Sequence, residues 1–265
     1  MRWRDVCYEY DGSFAGFLTC LFEGYRNREE AVCFLGPEDT AATLWDTRRV
    51  DTDQARAVRV WRGICRNISP AAGELARRAF LTCLPQREVC IWQFLRYGFE
   101  RGSAVMADLG DDRVNTLRRA VQQLDGEAHL YKGFVRFSDQ DGVLTAVIEP
   151  KNRVLPVLRA HFTARLNTQC FLIYDRTHRE ALLYRPRQWA IVPAENFQAG
   201  APDERERQYR RLWRAFFETV AIRERKNPRC QNTFLPKRYR GIMTEFLPLE
   251  YEKAAPQPDR PQLRP

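Results

Sequence analysis

The chain has 265 residues, 44% of them hydrophobic and 29% charged, with a formal net charge of +9. That balance excludes a disordered chain and supplies a sizeable core for one large domain or two small ones. No apolar run reaches the roughly 18 residues a membrane span needs, and Met1-Arg2-Trp3-Arg4-Asp5 lacks the apolar stretch of a secretion signal, so a cytoplasmic protein without a membrane partner is expected.

In chain order, Val6, Tyr8 and Tyr10 alternate with polar neighbours as a short strand does. Asp11-Gly12 makes a turn, Ser13 is a helix cap, and Phe14, Phe17, Leu18, Leu21, Phe22 and Tyr25 mark an amphipathic helix. From about 50 to 130 four helices are predicted: one carrying Val58, Trp61, Ile64, Cys65 and Ile68; one opened by Ser69-Pro70 and running through Leu84 to Pro85; one from Val89 to Gly102; one through Val114, Leu117, Val121 and Leu124. From Lys132 the pattern turns to strands. Phe134 to Ser138 and Val143 to Glu149 form a hairpin about Asp141-Gly142, closed by Pro150. A helix follows over Val154–Leu166, then a hairpin of Phe171–Asp175 with Ala181–Arg185, and a further strand at Trp189–Val192. The last long helix spans 203–226 and stops at Asn227-Pro228. Its apolar stripe, with Trp213, Phe216 and Phe217, is expected to lie on the sheet.

These elements predict an α+β fold: an N-terminal strand and helical block, then a mainly antiparallel sheet of hairpins with packed helices. A single domain is expected over 1–250, with its helical part at about 13–130 and its sheet part at about 131–250, followed by a proline-rich, disordered tail at 251–265.

Eight cysteines, Cys7, Cys20, Cys33, Cys65, Cys83, Cys90, Cys170 and Cys230, form no Cys-x-x-Cys pair or radical-enzyme cluster. They are expected to be unpaired packing thiols, with Cys20, Cys65 and Cys83 inside helical patterns. No metal site and no cofactor is expected.

The positive charge is local. Between 205 and 240 twelve Arg and Lys face three Glu, a net of +9, so the remainder of the chain cancels. On the long helix Arg207, Arg210, Arg211, Arg214 and Arg225 fall opposite the apolar stripe at about 100° per residue. Lys226, Arg229, Lys237, Arg238 and Arg240 follow, interleaved with Phe234 and Tyr239. Cations in a row with aromatic residues between them suit a nucleic acid, through phosphate contacts and base stacking. A solvated face or an acidic protein partner would use the same residues.

Candidates for chemistry are sparse. His129 is expected at a helix end, His161 on a packed helix face, and His178 in the turn after Asp175. Glu149 with Lys151 and Asp141 would suit a metal-dependent nuclease if the three carboxylate and amine groups converged. No phosphate-binding Gly-rich loop, Gly-x-Ser-x-Gly elbow or His-Glu-x-x-His pair is present.

Several segments together carry a resemblance: Tyr10-Asp11-Gly12-Ser13-Phe14, Gly133-Phe134-Val135-Arg136-Phe137, Ile173-Tyr174-Asp175-Arg176, Ile222-Arg223-Glu224-Arg225-Lys226-Asn227-Pro228 and Pro236-Lys237-Arg238-Tyr239. Over roughly residues 6–247 the chain resembles a bacterial family of DNA-metabolism and DNA-repair proteins built on a domain of unknown function. The resemblance implies DNA and a radical-SAM DNA-modification protein as partners. It also implies a uracil-DNA-glycosylase-like protein, because some relatives carry such a domain fused. No such domain is expected in the residues after 247, and the three-cysteine cluster of a radical-SAM enzyme does not occur in the sequence. The function expected is therefore an accessory one: binding DNA through the basic helix and working with the radical-SAM partner. A nuclease or base-processing enzyme, or an adaptor without DNA contact, are the alternatives.

Overall fold

The structure, a computed structural model, describes residues 3–39, 43–195, 197–198, 200, 202–220 and 227–246. The chain divides into two compact units, Met1–Gly126 with Lys151–Arg153, and Glu127–Pro150 with Val154–Pro265. The α+β class expected from the sequence is the one observed.

The first unit runs β1 (Arg4–Glu9), α1 (Phe14–Asn27), β2 (Glu29–Leu35), β3 (Thr47–Arg49), α2 (Gln54–Asn67), α3 (Pro70–Ala79), α4 (Arg87–Arg101) and the start of α5 (Asp112–Phe134). Gly12 takes φ +75°, and Ser13 caps α1 by accepting from the Gly16 amide at 2.9 Å. The strands form a parallel sheet in the order β2-β1-β3. Of these only β1 was expected. Helix α1 and the other helices bury Phe17, Leu18, Leu21, Ile64, Trp92, Phe94 and Leu95. Gly24 is where the indole of Trp92 enters, since a Cβ there would meet it at 2.2 Å. The one buried acid of this sheet, Glu29, accepts from the Tyr8 hydroxyl at 2.8 Å and pairs with Arg48 at 2.7 Å, which offsets its desolvation.

Two expectations for this unit are corrected. Helix α3 ends at Ala79 and not near Leu84, because the Thr82 hydroxyl donates to the Ala79 carbonyl at 2.6 Å and the Cys83 amide donates to Asn152 at 2.9 Å. The cysteines are not all unpaired. Cys7 and Cys33 are register partners on β1 and β2, with Cα atoms 4.6 Å apart, and form a disulfide. A separation of 26 residues hides such a strand pairing from local patterns. Cys83 is exposed rather than packed in a helix, whereas Cys20 is buried, and burial with Asp11 nearby pushes its thiol up to about 12.

The second unit holds the end of α5, β4 (Ser138–Gln140), β5 (Val143–Ile148), α6 (Leu155–Arg165), β6 (Cys170–Asp175), β7 (Glu180–Arg185), β8 (Gln188–Pro193), α7 (Glu204–Val220), α8 (Pro228–Phe234), α9 (Lys237–Arg240) and a 3-10 turn at Thr244–Phe246. Its sheet has the order β4-β5-β6-β7-β8. Asp141 and Gly142, both at positive φ, make the tight hairpin turn between β4 and β5. The sheet is mixed, because α6 carries the chain from β5 to a parallel β6, and β7 and β8 then add antiparallel. Its core is Ile148, Leu158, Phe162, Phe171, Ile173 and Leu182.

The first hairpin strand starts at Ser138, not Phe134. Helix α5 continues to Phe134 because Tyr131 and Phe134, three residues apart, both pack on the buried ring of Tyr239, at 5.0 and 5.4 Å between centroids. Helix α7 also departs from expectation. It does not bury its aromatic stripe on the sheet: Tyr209, Leu212, Trp213, Phe216, Phe217 and Val220 are 40–66% exposed. Polar contacts hold it instead, with Arg210 donating to Ser138 of β4 at 2.7 Å and the Trp213 indole donating to Glu245 at 3.0 Å. Asn227-Pro228 begins α8 as cap and first residue, the Asn227 side chain accepting from the Cys230 amide. Among the described residues no helix is long and apolar enough to cross a membrane.

Candidate nucleic-acid interface

Helix α7 and its capping residue Asp203 carry five arginines and four carboxylates, and the carboxylates are placed to meet the arginines. Arg207 binds Glu204 at 3.0 Å, three residues away, and Arg211 reaches the same Glu204 at 3.3 Å. Arg210 binds Glu206 at 2.8 Å. Arg214 is engaged as well. These are the arginines expected to form an outward row, and three of them are satisfied by their own helix. The signal was legible: Glu204 and Glu206 stand at helical spacings of three and four from Arg207 and Arg210. Arg225 and Lys226 lie outside the described residues.

The two kinds of pair differ. Arg211 and Glu204 are 57% and 59% exposed, so the bond contributes about 0–1 kcal/mol. Arg210 and Glu206 are mostly covered, and Arg210 also ties α7 to β4, so that pair belongs to the architecture.

Beyond α7 the cations have fewer acids to meet. Arg238 pairs with the buried Glu127 at 3.2 Å. Arg240 donates to Asn232 at 2.8 Å and lies 5.1 Å from the Phe246 ring centre. Arg229 and Lys237 are exposed, and among the described residues no carboxylate pairs with either. Between them Phe234 is 71% exposed. Tyr239, expected beside it as a stacking ring, is fully buried, and burial raises its hydroxyl above the usual tyrosine range. It is a core residue under Arg238. Among the described residues, short α8 and α9 thus present a cation without a carboxylate partner, an aromatic ring and a second such cation.

Three of the chemistry candidates come together at one end of the parallel β5–β6 pair. Ile148 and Asp175 are register partners, Glu149 follows the first, and Arg176 after the second forms an ion pair with Glu149. Asp175 is fully buried; one oxygen accepts from the Thr177 and His178 amides at 3.0 and 3.1 Å, and the other meets His178 Nδ1 at 2.7 Å. This orients the imidazole as a general base is oriented, and it also builds the β6–β7 turn. Asp141 is elsewhere. It precedes β5 while Glu149 follows it, on the order of 20 Å apart at a strand's rise per residue, so the two cannot share a metal ion. Among the described residues no group of three His, Cys, Asp or Glu is arranged to hold one.

The remaining histidines are separate. His129 is exposed within α5, not at its end, because the helix runs on to Phe134. His161 on α6 meets Phe162 edge-on at 5.0 Å, and burial, then Lys132 and Arg165, lowers its pKa below the ordinary histidine value.

A family model described as a domain of unknown function, DUF4130, matches residues 85–245. No curated protein matches the chain.

Proposed function

The chain belongs to the DUF4130 family, a domain of unknown function, and from that premise we propose that it is a DNA-metabolism accessory protein whose α8–α9 segment holds a nucleic acid. The observation that carries this is a pair of cations, Arg229 and Lys237, that have no carboxylate partner among the described residues and are set about the exposed ring of Phe234. Each cation that takes a phosphate releases counterions, and a stacked base adds about 1–3 kcal/mol. Arg207 and Arg211 are held by Glu204, and Arg207 also donates to the Pro202 carbonyl at 2.9 Å, so neither belongs to this contact.

The partner comes from the family resemblance: a radical-SAM DNA-modification protein, and beside it a uracil-DNA-glycosylase-like protein. The exposed apolar side chains of α7 support a protein partner, because contiguous apolar surface of this kind marks protein contacts. The test is DNA affinity against salt, for single and double strands, in the full chain with Arg229→Glu and Lys237→Glu. The log–log slope should become shallower by about two, and Phe234→Ala should weaken single-strand binding more than duplex binding. A wild-type slope near zero, or a double variant that matches wild type, removes the proposal.

The Asp175–His178 pair supports a second reading, a base-processing enzyme, since a buried carboxylate orienting an imidazole is how a general base is built. Damaged DNA turned over by wild type and left intact by His178→Gln would carry it; an inert wild type rejects it.

A further inference from the structure

Outside 205–240 the charges sum to zero, but they do not cancel evenly. Helix α2 contains Arg56, Arg59, Arg62 and Arg66 and not one Asp or Glu. Ala57, Ile64 and the cap Ile68 are buried. At about 100° per residue Arg59, Arg62 and Arg66 fall within about 60° of one another on the opposite side, and all three are exposed. Among the described residues only Arg56 is neutralised, by Glu23 at 2.5 Å and Asp53 at 3.0 Å. Arg59 lies 5.6 Å from the Phe22 ring centre, and among the described residues no carboxylate pairs with Arg59, Arg62 or Arg66. Like charges three and four residues apart work against a helix, so this row is retained at a cost in local stability.

We propose that Arg59, Arg62 and Arg66 form a second nucleic-acid contact, directed at the sugar-phosphate backbone. From Arg59 to Arg66 the helix rises about 10.5 Å, and a duplex carries one phosphate charge for every about 1.7 Å of its axis, both strands counted. A row of three cations on a helix without an acid suits a polyanion of that charge density. A protein contact centres on anchors such as Trp and Tyr and seldom on Val. The only aromatic of α2, Trp61, is turned inward, against Phe14 at 6.2 Å and beside Gly73, and the apolar side chain exposed near the row is Val58. Residues 54–67 also lie outside the segment that matches the family. The contact uses the same kind of ligand as α8–α9 and none of the same residues, so the two stand or fall separately.

The experiment is binding of the full chain to a short random-sequence DNA duplex across a salt series. It compares wild type, Arg59→Glu/Arg62→Glu/Arg66→Glu, and Arg229→Glu/Lys237→Glu, with thermal melting as the check on folding. The α2 variant should flatten the log–log slope by about two to three and the α8–α9 variant by about two, independently. If charge reversal unfolds α2, the milder Arg59→Gln/Arg62→Gln/Arg66→Gln variant should give the same flattening by removing charge alone. A slope unchanged in the α2 variants but altered in the α8–α9 variant overturns this inference and leaves the proposed function. Loss of an acidic protein's binding with DNA binding intact overturns it too. A wild type without salt dependence overturns both.

Discussion

Helices α2 and α7 are both amphipathic and rich in arginine, yet they treat their charge in opposite ways. In α7 Glu204 and Glu206 take up Arg207, Arg210 and Arg211, and the helix is nearly neutral while its apolar stripe stays exposed. In α2 the apolar side is buried, and the arginine side has no acid of its own helix to answer it. By net charge along the chain, the late segment, with +9 over 205–240, outweighs α2, which has four arginines and no acid. Pairing reverses that order. A guanidinium bonded to a carboxylate must give up that bond before it gains a phosphate, whereas an unpaired one gives up only water and counterions.

The contrast can be broken or sharpened by single changes. The largest effect expected is on stability. Arg210→Ala leaves Glu206 mostly covered without its partner and Ser138 without its donor, so the second unit should lose about 1–3 kcal/mol in denaturant unfolding, with the salt slope of DNA binding unchanged. Next comes Glu204→Gln, which frees Arg207 and Arg211 together. Affinity for duplex DNA should rise several-fold and the slope should steepen by about one to two; equal or weaker binding would mean that the pairs do not hold the arginines back. Removal of one unpaired cation, Arg62→Gln, should flatten the slope by about one, and Arg207→Gln by clearly less.

The smallest effect reads the local field of the second unit. Burial, Lys132 and Arg165 hold the His161 pKa below its value of about 6.5 in an unfolded chain. Protons therefore favour the unfolded state. The neutral ring's share of stability is complete above about pH 6.5 and is lost as pH falls toward the depressed folded value. His161→Leu should flatten the melting temperature against pH across that window, measured as the difference from wild type.

Much of this molecule could be read in its local patterns. The helix at Phe14–Asn27 with its Ser13 cap, the Asp141-Gly142 hairpin turn and the Pro at the start of α3 and α6 are each set by a few adjacent residues. What escaped depends on contacts distant in sequence. The parallel β2-β1-β3 sheet and the Cys7–Cys33 bond need strands from different parts of the chain. Helix α5 outruns its expected end because Tyr239, more than a hundred residues later, receives Tyr131 and Phe134. For the interface, the arginines were legible and so were the glutamates beside them. Which arginines were left unpaired was not, because α2 has to be seen with its neighbours Glu23 and Asp53 accounted for. The Asp175–His178 pair was legible as a turn, and its burial was not.

The central claim, that unpaired arginines and not merely numerous ones meet the nucleic acid, is tested most directly by one pair of salt titrations. Arg59→Gln/Arg62→Gln/Arg66→Gln is set against Arg207→Gln/Arg211→Gln on the same duplex. The account predicts a clear flattening of the slope for the α2 variant and little change for the α7 variant. The opposite order, with α7 dominant and α2 silent, contradicts it.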